Sequence, residues 1–358
     1  MSDANTPNLS HPSRRQVLAA GLAAAGGALL AGCAGSGPAA PAGSDAGSDT
    51  GIKVVASFYV MGDFAKKVGG DLVSVTDLVP AGTEPHDWEP SPRDIEDLKA
   101  ADLFVYNGAG MEHWVEDVVS DLDTAKVVEA SKGIELLVGE HDHDHDHDDH
   151  DHDHDDHDHD DHDHDDHDHD DHDHDDHDHH DHDHDGHDPH VWLAPANAKM
   201  ELAAIRDGLA AVDPEHTEQF DAAYEEHARA FDELDQEFRT ALEPLPNKTI
   251  VVSHAAFGYL CDAYGLTQRA ITGIDAEGEP DARTMAEIID LVKESGIKTI
   301  FTEELVSPKV AQAIADATGA SCQVLNPIEG LTQEQESAGE DYLSLMRQNL
   351  KALVAALG

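Results

Sequence analysis

Three histidines in this sequence have local settings unlike those of the many others. His86 lies in Gly82-Thr83-Glu84-Pro85-His86-Asp87-Trp88-Glu89-Pro90, a stretch held by prolines on both sides. His190 lies in Asp188-Pro189-His190-Val191-Trp192-Leu193-Ala194-Pro195, and His254 in Val252-Ser253-His254-Ala255-Ala256-Phe257-Gly258. Each sits where an α/β sheet presents groups to a crevice. Imidazole nitrogens suit zinc and similar divalent ions, so three of them from separate loops point to a chelating set. Such an ion keeps its full charge among neutral imidazoles, and a carboxylate should therefore join them. Glu329, in Asn326-Pro327-Ile328-Glu329-Gly330-Leu331, is the first choice; Glu303, in Phe301-Thr302-Glu303-Glu304, is the alternative ligand or a group that orients one. His113 reads as a helix-surface residue, and His216 and His227 as solvated positions on a long polar helix. Trp88 and Trp192 read as packing that orients the histidines beside them.

Most of the remaining histidine is concentrated in one place. Of the 28 histidines, 22 fall between His141 and His190, together with 26 aspartates and no basic residue. From His152 to His179 a unit His-Asp-His-Asp-Asp repeats. Nothing in it can bury a core, so residues 141–188 read as a disordered loop. Its imidazoles, beginning with His141, His143, His145, His147, His150, His152, His154, His157 and His159, should bind metal weakly, multivalently and with a dependence on pH. Solvation alone would require Asp and has no use for His at every second position.

The elements that must position the three histidines follow from alternating patterns. Short β-rich runs at 52–58, 72–78, 103–106 and 126–129 alternate with helical stretches at 59–68, 92–101 and 111–122, which implies βαβ units around a parallel sheet. A helix at 196–212 is followed by a run from Pro214 to Leu242 that contains no breaker and reads as one long helix. Alternation then resumes, with strands at 249–252, 268–272, 299–302 and 322–325 and helices at 255–264, 282–294, 308–318 and 341–357. The expected fold is α/β: an N-terminal lobe over 52–213, a linking helix over 214–243 and a C-terminal lobe over 247–358. Each lobe has a small, mostly parallel sheet, and the ligand lies in the cleft between them.

Charge narrows the function classes. The 358 residues carry 76 Asp+Glu against 21 Lys+Arg, a formal net charge of −55 that makes nucleic acid an improbable partner. The acidity suits solvation in concentrated salt, as in a halophile. Residues 1–33 read as an address: a twin-arginine pair, Arg14-Arg15, precedes an apolar stretch from Val17 to Ala31 that is too short to span a bilayer. The closing Leu30-Ala31-Gly32-Cys33 resembles a lipobox, with the Cys33 thiol taking the lipid. Residues 34–51, rich in Gly, Ala, Ser, Pro and Asp, then form a flexible tether. Cys261 and Cys322 are expected to be two buried thiols not joined to one another.

The four segments carrying His86, His190, His254 and Glu329 resemble the ligand segments of the ZnuA/TroA-type substrate-binding lipoproteins of zinc and manganese ABC importers. The resemblance spans residues 52 to 358, and the Asp/His tract falls where zinc members carry a His-rich loop, though here it is longer and more aspartate-laden. It implies two four-stranded lobes joined by a rigid backbone helix, one metal between them, and delivery to an ABC permease and its ATPase. It also implies an extracytoplasmic, lipid-anchored monomer with no enzymatic step. At the third ligand position zinc members have His and manganese members commonly Glu. His254 therefore favours Zn2+ as the transported ion, with Mn2+ the alternative. A surface metal buffer or adhesin would use the same site. A zinc hydrolase ranks lower, since there is no His-Glu-x-x-His and no second carboxylate at a spacing that marks a general base.

Overall fold

The computed structural model describes residues 51–138, 186–276 and 278–358. The leader, Cys33, the tether up to residue 50 and the tract histidines from His141 to His159 lie outside the described residues. Among the described residues no helix is long and apolar enough to cross a membrane.

The N-terminal lobe runs β1 (Ile52–Ala56), α1 (Tyr59–Gly69), β2 (Val73–Asp77), α2 (Pro92–Ala100), β3 (Leu103–Tyr106), α3 (Val115–Val119) and β4 (Val127–Glu129). Its sheet has the order β2-β1-β3-β4 with every pairing parallel. β1 is central, with buried Val54, Val55 and Ala56, as a parallel strand covered on both faces must be. α2 starts where Pro92 follows Ser91, whose side chain accepts from the Asp94 N–H while the Asp94 carboxylate accepts from the Ser91 N–H. The helix expected over 111–122 shrinks to Val115–Val119. The run has few turns and two glycines, Gly108 and Gly110, bend the chain at positive φ just before it. His113 consequently lies in the turn before α3 and not on a helix surface.

α4 (Pro195–Val212) and α5 (Thr217–Leu242) form the spine. The expected long helix begins with a separate 3-10 turn, Pro214–His216, because Pro214 starts a tight turn after Asp213 rather than continuing into α5. His216 is in that turn, its Nδ1 2.6 Å from Asp213 Oδ2. Phe231, Leu234, Phe238 and Leu242 recur at helical spacing along the buried face of α5.

The C-terminal lobe repeats the plan with β5 (Thr249–Val252), α6 (Gly258–Tyr264), β6 (Thr267–Ala270), α7 (Ala282–Ser295), β7 (Thr299–Thr302), α8 (Lys309–Thr318), β8 (Ser321–Val324), α9 (Gln333–Ala338) and α10 (Tyr342–Leu357). Its sheet order is β6-β5-β7-β8, again parallel throughout. The short α9 was not expected from the sequence. Thr332 and Gln335 cap it reciprocally, but six residues carry too little periodicity to announce a helix. No disulfide joins Cys261 and Cys322. Cys261 is buried, whereas Cys322 is only half-buried, because β8 is an edge strand with no fully buried residue.

One apolar core runs through both lobes and the spine. Phe64 of α1 meets the ring edges of Phe231 of α5 and Tyr342 of α10 at centroid distances of 5.5 and 5.1 Å, and Phe231 stacks on Tyr342 at 5.1 Å. The Tyr342 hydroxyl donates to the Trp192 carbonyl, and the Trp192 indole N–H donates to the Pro327 carbonyl, at 2.6 and 2.8 Å. These contacts set the relative position of the segments that carry the candidate ligands.

Candidate metal centre

Each ligand segment is fixed by its own chemistry. His254 lies two residues beyond the end of β5, and its ring Nδ1 lies 2.8 Å from Glu303 Oε1, just after β7. His190 begins a 3-10 turn, and its backbone N–H and ring Nδ1 both meet Asp188 Oδ1, at 2.9 and 2.8 Å. The Asn107 amide donates to the Pro189 carbonyl at 3.0 Å. Glu112 in turn accepts the N–H groups of Asn107 and Gly108 at 2.8 and 3.0 Å. His86 is placed by its backbone N–H, which donates to the Glu84 carboxylate. Glu329 follows Ile328, which has φ of 62°. For a β-branched residue that conformation is strained by about 1–3 kcal/mol, a cost typical of functional sites. Gly258 allows close approach: a Cβ there would stand 2.3 Å from Asp188 Oδ2.

The four candidate side chains converge. One ligand atom each from His86, His190, His254 and Glu329 lie within 4.8 Å of one another. His190 Nε2 is 3.2 Å from His86 Nε2, 3.3 Å from His254 Nε2 and 3.0 Å from Glu329 Oε1. Glu329 Oε1 is 3.5 Å from His86 Nε2 and 3.3 Å from His254 Nε2. Atoms bonded to a tetrahedral zinc at about 2.0–2.1 Å must stand about 3.3–3.4 Å apart. Five of the six edges of the set are therefore close to those of a tetrahedral zinc site, and the sixth, between His86 and His254, is within 4.8 Å. Glu303 stands outside the set, against the far nitrogen of His254.

Burial sharpens the electrostatics. Burial opposes ionisation of Glu329, but hydrogen bonds from His190 and His254 and the charge of His254 hold its carboxyl well below the usual carboxylate range. Burial likewise disfavours charge on His190 and His254. The hydrogen bonds to Asp188 and Glu329 outweigh it for His190, and the charge and hydrogen bond of Glu303, with Glu329, for His254, so both are raised. A metal ion entering here takes the place of protons.

Sequence reasoning found the four converging residues but gave no role to Asp188, Glu84, Asn107 or Glu112. Asp188 carried a signal, since a carboxylate two residues before a histidine can reach its Nδ1. Glu112 carried none. His227 lies half-buried on α5, away from the cluster. Trp192 is fully buried and packs on His190 at a centroid distance of 5.3 Å, whereas Trp88 packs on Trp114 at 5.7 Å.

Two α/β lobes on a helical spine, with three imidazoles and a carboxylate meeting in the cleft, define a two-lobed substrate-binding protein for a metal ion. Residues 54–356 match the family model described as zinc-uptake complex component A, periplasmic, and the chain belongs to that family. It is 37% identical over 311 residues to the high-affinity zinc uptake system protein ZnuA of Bacillus subtilis, covering 86% of this chain and 88% of that one. It is also 37% identical to the zinc-binding lipoprotein AdcA of Streptococcus pneumoniae, but covers only 56% of that longer protein. The Zn(II)-bound ZnuA-like domain of Streptococcus pneumoniae AdcA superposes with a TM-score of 0.67 at 33% identity, covering 86% of this chain and 99% of that one. The laminin-binding protein Lmb of Streptococcus agalactiae, described as a bifunctional protein with adhesin and metal transporting activity, gives 0.68 at 32% identity, with coverage of 86% and 100%.

Proposed function

We propose that this chain captures one Zn2+ between its lobes through His86, His190, His254 and the carboxylate of Glu329. It then delivers the ion to a membrane permease powered by an ATPase. The observation that carries this reading is the set of five ligand-to-ligand distances of 3.0 to 3.5 Å, which fit the spacing of ligands around a four-coordinate zinc. An ion held by all four of these side chains suits transport, because four-coordinate zinc with no open position has no place for a reacting water. Three nitrogen ligands to one oxygen favour zinc over manganese, a harder ion. Glu303 and Asp188 orient the imidazoles and fix their tautomers, a support that strengthens binding.

In the same reading the protein works outside the cytoplasm, held to the membrane by a lipid on Cys33 and spaced from it by residues 34–51. The Asp/His tract supplies weaker sites that raise the zinc concentration near the cleft. Sites carried on the same chain as the cleft act there at an effective concentration of roughly millimolar.

The test is equilibrium dialysis of Zn2+ against the full chain and its His86→Ala/His190→Ala/His254→Ala variant. The tight site should disappear while several weaker ions stay bound. A single tight site retained in the variant would reject the assignment.

A further inference from the structure

The four converging side chains do not share solvent equally. His190, His254 and Glu329 have side chains 0%, 0% and 1% exposed, while the His86 side chain is 12% exposed. Among the described residues, an ion therefore reaches the centre most directly past His86. A cavity of about 380 Å³ opens against this imidazole, and its walls include Asp87, Met111, His113, His187 and Asp275. It is lined by both lobes and stands outside the tetrahedron.

Two of these walls carry imidazoles that the centre itself does not use. His187 is the last tract-side histidine before the ligand segment. Its backbone is fixed by a bridge to Val138, and the next residue donates its N–H to the Leu137 carbonyl at 2.9 Å. Its ring Nδ1 is buried and has no hydrogen-bond partner among the described residues. Leaving such an atom without a partner is costly, so it marks a position shaped for something besides packing. Among the same walls, His113 has a side chain 32% exposed, its Nε2 3.8 Å from Glu89 Oε1. That is too long for a hydrogen bond and leaves the nitrogen accessible. Asp87 and Asp275 add negative charge where a cation would pass, which concentrates cations locally.

We propose that this cavity is a transit site at which His113 and His187 hold a partly dehydrated Zn2+ on its way between solvent and the tetrahedral centre. The inference rests on the proposed function, since it needs a tight zinc site behind His86. Zinc exchanges ligands stepwise, and an imidazole offered halfway replaces a departing water before the final ligands are reached. A group that acts in this way lowers the barrier in both directions. It therefore speeds loading and release by the same factor and leaves the equilibrium affinity unchanged. This separates a transit ligand from a residue that merely supports the centre, whose loss would weaken affinity through faster release.

The test uses the full chain with Zn2+. Loading is followed by stopped-flow tryptophan fluorescence, release by transfer to excess chelator, and affinity by competition at equilibrium. The His113→Ala/His187→Ala variant should load and release zinc about tenfold more slowly, with an unchanged Kd. Zinc-soaked crystals of the unmodified chain should show an anomalous peak between the two histidines that is absent in the variant. Unchanged rates alongside a normal tight site would overturn this inference alone. So would a weakened Kd with faster release, or equal slowing in a His216→Ala/His227→Ala control on the spine. Failure of the unmodified chain to bind any zinc tightly would remove the proposed function, and this inference with it.

Discussion

In the C-terminal lobe, His254 lies just beyond a central strand, Glu303 backs its ring from the end of the neighbouring strand, and Glu329 is buried beside it. In the N-terminal lobe only His190 has a comparable setting, with Asp188 behind it, and that setting lies far from the lobe's own strands in sequence. His86 is held through its backbone N–H and faces a cavity. The two lobes share one strand order, yet one supplies a rigid, buried half-site and the other supplies one fixed ligand and one more accessible one. A site that must both hold and surrender an ion has use for that asymmetry, because exchange can begin at the least enclosed ligand while the others keep their geometry.

The strongest challenge to this contrast is to disable the rigid half. Glu329→Gln leaves buried imidazoles around a dication with no compensating charge, a loss of about 3–5 kcal/mol. Zinc affinity measured by chelator competition should fall by at least about a hundredfold; a fall smaller than that of His86→Ala would reverse the assignment of the halves. Glu303→Gln should act next, weakening affinity by about 10- to 100-fold through the loosened His254 ring. If the His254 ring is held by other means, affinity will not change.

The pH dependence follows from the raised imidazoles. In the metal-free chain His190 and His254 keep protons to higher pH than an ordinary histidine. Zinc must displace those protons, so affinity should be fullest above the raised values and fall below them by about tenfold per pH unit for each proton displaced. Calorimetry in buffers of different ionisation enthalpy counts the protons released; release of none at neutral pH would contradict the raised values.

The smallest effect concerns the N-terminal lobe and its spine, away from the ion. Glu201 on α4 is fully buried, and neither side-chain oxygen has a hydrogen-bond partner among the described residues. Burial, with the charge of Glu112 added, raises its carboxyl well above 4.5. The folded chain keeps this proton while the unfolded chain loses it, so stability drains away as pH rises above the unfolded value and up to the folded one. Glu201→Gln should stabilise the chain by about 1–2 kcal/mol at neutral pH and little near pH 4, as read by chemical denaturation. A loss of stability at both pH values would show that the carboxyl has a partner the structure does not describe.

The ligand segments were legible because proline and glycine punctuate them, in Pro85-His86, Pro189-His190 and Pro327-Ile328-Glu329-Gly330, and because strand patterns precede His254 and Glu329. The spine was legible from an unbroken helical run. The 3-10 turn at Pro214–His216, the short α9 and the contraction of α3 were not, since turns and one-turn helices are decided by caps and neighbours more than by periodicity. The choice between Glu329 and Glu303 was open in the sequence, as both follow strands of the same sheet.

By itself, then, the order of residues determined the alternation of strand and helix, the acidic balance and the identity of the groups available to a metal, because these depend on local propensity and side-chain chemistry. Only the tertiary structure decided which carboxylate meets the imidazoles, which one merely turns a ring, and that His113 and His187 share a cavity with His86. Those outcomes depend on distances of a few ångströms between segments far apart in the chain, set by an aromatic core and hydrogen bonds that span both lobes.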